Sequence, residues 1–117
     1  MSFWRKQLDF ALDHETRRQI EEQRAWIARE PSNPRPYYHL AQFCRMEGRQ
    51  EEALGLLLEA VRLDDGFAEA HVSLAEIYAL CEDYAVAWRH ARQAERSGDR
   101  RAVELLTRYE VVDPGHD

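Results

Sequence analysis

The chain has 117 residues, enough for one domain, and its 22 acidic against 16 basic side chains give a net charge of −6. That balance argues against nucleic-acid binding, which draws on a basic surface, and the arginines are interspersed with glutamates rather than clustered. No run of about twenty apolar residues is present to span a membrane, and Asp9 and Asp13 interrupt the apolar stretch that a secretory signal needs, so the expected location is the cytoplasm.

In chain order, the first predicted element is residues 1–12. Phe3, Trp4, Leu8, Phe10, Ala11 and Leu12 make it unusually apolar; on a helix Trp4, Leu8, Ala11 and Leu12 share one face, with Arg5, Lys6 and Asp9 elsewhere. Two arrangements would cover that face. It packs on the next helix through Ile20, Trp26 and Ile27, or it docks in a groove of this chain or of a second copy. Phe3, Trp4, Leu8, Phe10 and Leu12 are therefore candidate self-association residues, and a homodimer is the partner they imply. The next predicted helix covers residues 14–29, with Asp13 as its cap and Glu15 complementing its positive end. Residues 32–34, Ser-Asn-Pro, supply a turn.

From Pro34 the sequence repeats. Leu40 and Ala41 return as Leu74 and Ala75, Ala53 as Ala87, Ala60 as Ala94, Arg62 as Arg96 and Asp65 as Asp99, each pair 34 positions apart. A period of this size marks stacked supersecondary units that cannot bury their apolar faces alone. Each copy divides into two helical halves. Tyr37, Leu40, Ala41 and Cys44 share one helical face, and Ala53, Leu54, Leu57, Ala60 and Val61 share another. Gly48 between them suits the left-handed position that ends a helix. The second copy repeats the plan with Ala70, His71, Leu74, Ala75 and Tyr78, a break near Glu82 and Asp83, then Ala87, Trp88, Ala91 and Ala94. After it Asp99 is placed to cap a closing helix with Ala102, Leu105, Leu106 and Tyr109 as its stripe. Residues 111–117 carry Pro114 and Gly115 and are expected to fray.

Residues 34–101 resemble the tetratricopeptide repeat, a degenerate 34-residue pattern of W-x2-L-G-x2-Y, A-x3-F, A and P. Tyr37, Leu40, Ala41, Cys44, Ala53, Leu57, Ala60 and Asp65 stand at those places in the first copy, and His71, Leu74, Ala75, Tyr78, Ala87, Ala91, Ala94 and Asp99 in the second. Tyr37 and His71 replace the usual tryptophan, Cys44 replaces an aromatic, and aspartate takes the proline position twice; none of these disrupts a helix. Residues 63–70 resemble the turn between repeats, and Pro31 falls within a residue of the place where a preceding repeat would close. The resemblance implies an all-α fold, a right-handed superhelical stack of antiparallel helix pairs with a C-terminal capping helix. The expected divisions are degenerate leading helices over 1–33, repeats over 34–67 and 68–101, the capping helix over 102–110 and the tail.

The same resemblance implies recognition of a peptide or partner helix, without catalysis, in a concave groove lined by the first helices. Carried onto this chain, the groove residues are Tyr38, Gln42, Arg45 and Met46 in one repeat, Val72, Glu76, Ala79 and Leu80 in the next, and Leu106 on the closing helix. Tyr38 and Met46 are favoured for contact, since aromatic and methionine side chains offer large, adaptable area. The plainer alternative is that Tyr38, Val72 and Leu80 pack between adjacent first helices. The cationic clamp for a C-terminal carboxylate is not expected, because Tyr38, Gln42, Val72 and Glu76 stand where it requires lysine and asparagine. A second function class is structural self-assembly through the apolar arm or the repeat faces. A third is a metal or small-ligand site at His39, His71 or the cysteines.

Chemistry-bearing residues are sparse in pattern. Cys44 and Cys81 lack metal-ligand spacing, and Cys44 lies on a core face, where a small apolar filler is its expected role. The histidines form no His-Glu-x-x-His pair. Glu51-Glu52 and Asp64-Asp65 are adjacent carboxylates that a solvated helix end and a solvated turn account for. No activated nucleophile or phosphate loop occurs. The expectation is no catalytic residue, no metal and no cofactor.

Overall fold

A computed structural model describes residues 2–114, apart from the side chains of residues 2–5 and 8–12. Among the described residues there are six helices and no strand: α1 (Ser2–Arg29), α2 (Pro34–Met46), α3 (Gln50–Leu63), α4 (Ala68–Leu80), α5 (Tyr84–Arg96) and α6 (Arg101–Arg108). The sequence period is a structural one. Pro34 and Ala68 open first helices, Met46 and Leu80 end them, and Gln50 and Tyr84 open their partners, each pair offset by 34.

Local chemistry sets the boundaries. The Asn33 side chain accepts from the Arg35 backbone N–H at 3.0 Å, and Pro34 occupies the first helical turn, where a missing N–H costs nothing. As expected, an Asp99 oxygen accepts from the Arg101 N–H at 3.0 Å and opens α6. Four helix ends share one closure. The N–H groups of Arg49, Asp83, Asp99 and Val111 reach back to the carbonyls of Cys44, Tyr78, Ala94 and Leu106 at 2.8 to 2.9 Å. Each bond spans a left-handed residue: Gly48 at φ 77°, Glu82 at 61°, Gly98 at 97° and Glu110 at 57°. This wrapping satisfies carbonyls that the helix end would otherwise leave open.

Packing follows the alanines. Ala41, Ala53, Ala60, Ala70, Ala87, Ala91 and Ala94 have no exposed surface, so the helices meet closely, and Leu57, Leu74 and Trp88 fill the space between. One buried cluster joins α2 and α3 to α4 through Leu57, Phe67, Leu74 and Ile77. The next joins α4 to α5 and α6 through Val72, Ala75, Trp88, Val103 and Leu106. Helix α4 belongs to both.

Two expectations are corrected at the ends. The leading segment is one helix of 28 residues rather than a pair, so Asp13 rides mid-helix and caps nothing. Residues 9–17 contain no glycine or proline to interrupt the helix at the expected break, and just beyond it Glu15 ties Arg18 and Gln19 at 2.6 and 3.0 Å. Residues 2–12 therefore cannot fold back on Ile20, Trp26 and Ile27; the backbone at Trp4 and that at Ile20 lie about 24 Å apart along one axis. The side chains of Phe3, Trp4, Leu8, Phe10 and Leu12 lie outside the described residues. The three core candidates of α1 are only half-buried, because α1 packs chiefly on α2 alone. At the other end, residues 111–113 dock rather than fray. The Trp88 indole N–H donates to the Val111 carbonyl at 3.0 Å, and Arg92, stacked over the Trp88 ring, reaches Asp113 at 3.1 Å. A buried indole N–H needs an acceptor, and the tail supplies it.

The left-handed closures give a paired prediction. A Cβ at Gly48 meets nothing within 4 Å, so Gly48→Ala exposes the backbone cost alone, about 1 kcal/mol of lost stability. Glu82→Gly relieves the same strain at the equivalent turn and raises stability by about 0.5 kcal/mol after the added chain entropy. Urea denaturation of the two variants beside the parent checks both signs.

Candidate functional site

The first helices α2, α4 and α6 lie side by side, and the residues expected to line their shared face divide by position. Along α2, from Tyr38 to Arg45, three contacts stitch it to α4 and to Phe67, the N-cap of α4. Tyr38 packs on Phe67 with ring centroids 5.4 Å apart, the Gln42 amide donates to the Ser73 hydroxyl at 3.1 Å, and Arg45 pairs with Glu76 at 3.8 Å. Burial raises the Tyr38 hydroxyl pKa, with the Glu69 charge adding to it. Val72 is 7% exposed and belongs to the core with Ala75 and Trp88, which removes it from the groove surface. For Tyr38 and Val72 the plainer expectation, packing between repeats, describes their surroundings.

Toward the end of α4 the face opens into a groove of about 310 Å³ between α4 and α6. Ala79 and the buried Leu106 lie at its base, and Leu80 of α4 and Leu105 of α6 line it as well. Tyr84, Tyr109 and Val111 complete the apolar lining, and the Arg45–Glu76 pair is its charged portion. Leu80 and Tyr109 are 71% and 70% exposed, an unusual investment of apolar surface in water. Five expected residues thus meet here: Arg45, Glu76, Ala79, Leu80 and Leu106. Met46 does not join them. It is highly exposed, but it lines a separate cleft of about 580 Å³ against α1, crowded by Asp13, Arg17, Glu21, Arg24, Glu47 and Arg49.

Sequence reasoning missed Tyr84, Leu105, Tyr109 and Val111 as groove residues. Tyr109 stood in the closing stripe, and its exposure is decided by where α6 stops. Tyr84 opens α5 two residues past the left-handed Glu82, and Val111 arrives only because the tail docks on Trp88.

Paired helices in a 34-residue register, closed by matching turns and meeting across matched alanines, are the structural content of the repeat read from the sequence. A sequence model of the tetratricopeptide repeat matches residues 13–95. The chain belongs to the tetratricopeptide repeat family. No curated protein matches it. Tetratricopeptide repeats are generally protein-interaction modules, and within this stack the groove between α4 and α6 is an apolar concavity on the face of the first helices. No helix among the described residues is long and apolar enough to cross a membrane.

The remaining candidates are accounted for by structure. Cys44 and Cys81 are both free thiols; Cys44 is buried, which pushes its pKa up and disfavours the reactive thiolate. His39 packs between Trp26 and Tyr38. Among the described residues no group of three or more His, Cys, Asp or Glu side chains is arranged to hold a metal. His71 is bonded at both nitrogens: Nε2 lies 2.8 Å from the Asp65 carbonyl and Nδ1 lies 3.0 Å from His90 Nδ1. A carbonyl only accepts, so Nε2 carries a proton, and neutral His71 accepts from His90 through Nδ1. The His90 ring also stacks on Tyr78, nearly parallel at 5.7 Å. Burial, then the neighbouring His71 and Arg89 charges, hold the His90 pKa down to about 4.

This pair ties α4 to α5 in its neutral form, and the pH dependence follows. His90 binds its proton more readily unfolded, near pH 6.5, than folded, near 4. Its contribution to stability is therefore complete above pH 6.5 and declines as pH falls through the window down to about 4. Urea midpoints measured across that window should fall more steeply in the parent than in His90→Gln. Parallel profiles would show that His90 does not titrate with folding.

Proposed function

We propose that this domain is a non-catalytic recognition module that holds an amphipathic helix or a short extended peptide in the groove between α4 and α6. The observation that carries the reading is the concentration of exposed apolar side chains, Leu80, Tyr84 and Tyr109, around a base of Ala79 and Leu106. Single exposed apolar residues are ordinary on a protein surface. A concave cluster of aliphatic and aromatic residues is how helical and extended peptides are anchored. The charges beside it are already paired, Arg45 with Glu76, so an apolar ligand does not strand either one. Catalysis has no support in this arrangement: the groove brings together no nucleophile, base and orienting partner.

The groove is shifted from the row expected over Tyr38, Gln42 and Val72, and the test shifts with it. Leu80→Glu puts a charge into the groove at an exposed position, and Tyr109→Ser removes its largest exposed ring. Affinity capture with each variant, beside the parent and Met46→Glu, is expected to lose the same bound proteins for the two groove changes and retain them for Met46→Glu. Unaltered helical circular dichroism separates this from unfolding. Equal capture by all four proteins would move recognition to another face.

A further inference from the structure

We propose that the groove between α4 and α6 receives the leading segment of α1 from a second copy of this chain, so that two copies exchange these segments reciprocally; this rests on the groove being a recognition site. The lengths of the helices provide the first argument. At 28 and 13 residues, α1 and α2 are about 42 and 20 Å long. Asp13 and Thr16 already line the cleft with Met46 and Glu47, at the far end of α2. The backbone of residues 2–12 thus runs on beyond the stack as a continuation of one unbroken helix, with no turn to bring it back to its own α4 and α6. By register, positions 4, 8, 11 and 12 of that helix form an apolar face, which requires cover from outside its own stack.

Charge selects the groove as that cover. Helix α4 alone among the six has no basic residue in its last turn, whereas the others end with Arg29, Arg45, Arg62, Arg96 or Arg108. Its negative end runs instead into Glu82 and Asp83, both exposed and separated from the groove residue Leu80 by Cys81 alone. By register the leading segment carries Arg5 at the border of its apolar face and Lys6 and Asp9 away from it, two cations against one carboxylate. Seated apolar side down, it brings a net positive charge to an acidic rim whose helix dipole has not been neutralised. Reciprocal exchange makes two equal contacts about a twofold axis and closes the assembly at a dimer.

Sedimentation velocity of the full chain over a wide concentration range tests this. The parent is expected to move from 13.8 kDa toward twice that mass. Leu80→Glu in the groove and Leu8→Glu in the leading segment should each remain monomeric with unchanged helical circular dichroism, with Tyr109→Ser as a second groove variant. An equimolar mixture of Leu80→Glu and Leu8→Glu restores one intact segment and one intact groove, and its mean mass should rise above either alone. Lys6→Glu should weaken the parent's self-association up to about fivefold, and adding Glu82→Lys should recover it. A parent that stays at 13.8 kDa throughout overturns the inference, while loss of captured proteins from Leu80→Glu would still support the groove as a recognition site. A dimer that survives Leu80→Glu, or one that survives Leu8→Glu, overturns it as well, because one of the two named surfaces then lies outside the contact.

Discussion

Two helices approach only as closely as the side chains between them allow, and in this stack the residues that set that distance are alanines with no exposed surface. Ala41, Ala53 and Ala60 hold α2 against α3, Ala70 of α4 joins that cluster, and Ala87, Ala91 and Ala94 hold α5 against α4. A larger side chain at any of them would force the axes apart and open voids around Leu57, Leu74 and Trp88. The equal spacing of the alanines makes the two pairs alike, and likeness allows the second to stack on the first in a fixed register. Every later feature, from the polar stitches to the groove, is placed by that register.

The inner face acquires two characters from one geometry. Where α2 and α4 run together, its side chains are consumed in holding the repeats to each other: Tyr38 on Phe67, Gln42 to Ser73 and Arg45 to Glu76. Where α4 faces the eight-residue α6, Leu80 and Tyr109 stay in water. The docked tail shapes this region too, since Val111 lines the groove while its carbonyl satisfies the Trp88 indole. The histidine pair works within the second repeat, joining α4 to α5 through a hydrogen bond that requires one of the two rings to remain unprotonated. Stability and surface are thus linked through α4, the helix shared by both buried clusters.

Legibility in the sequence followed the range of the interactions involved. The closure at Gly48 was readable because the left-handed conformation is a property of that residue and its two neighbours in the chain. Glu82 adopts it in the equivalent place without glycine, imposed by the bond that the next residue, Asp83, donates to the Tyr78 carbonyl. The continuity of α1 through Asp13 was misread, because an aspartate suits a cap and an exposed helical site alike, and only the next element determines which. Helix α4 was hardest. It is buried on consecutive residues from Ala70 to Ala75, so its pattern marks no outward side, and Val72 and Leu80 look equivalent in sequence while one is enclosed and the other bathed in solvent.

The sequence by itself determined the period, the helix pairs, the alanine contacts and therefore the family, because each arises from neighbours within one 34-residue unit. Only the tertiary structure decided which apolar residues remain in water, since exposure at Leu80, Tyr84 and Tyr109 depends on α6 and the docked tail arriving from elsewhere in the chain. Burial is a relation between distant segments, and a repeating pattern records the segments without recording how far each neighbour reaches.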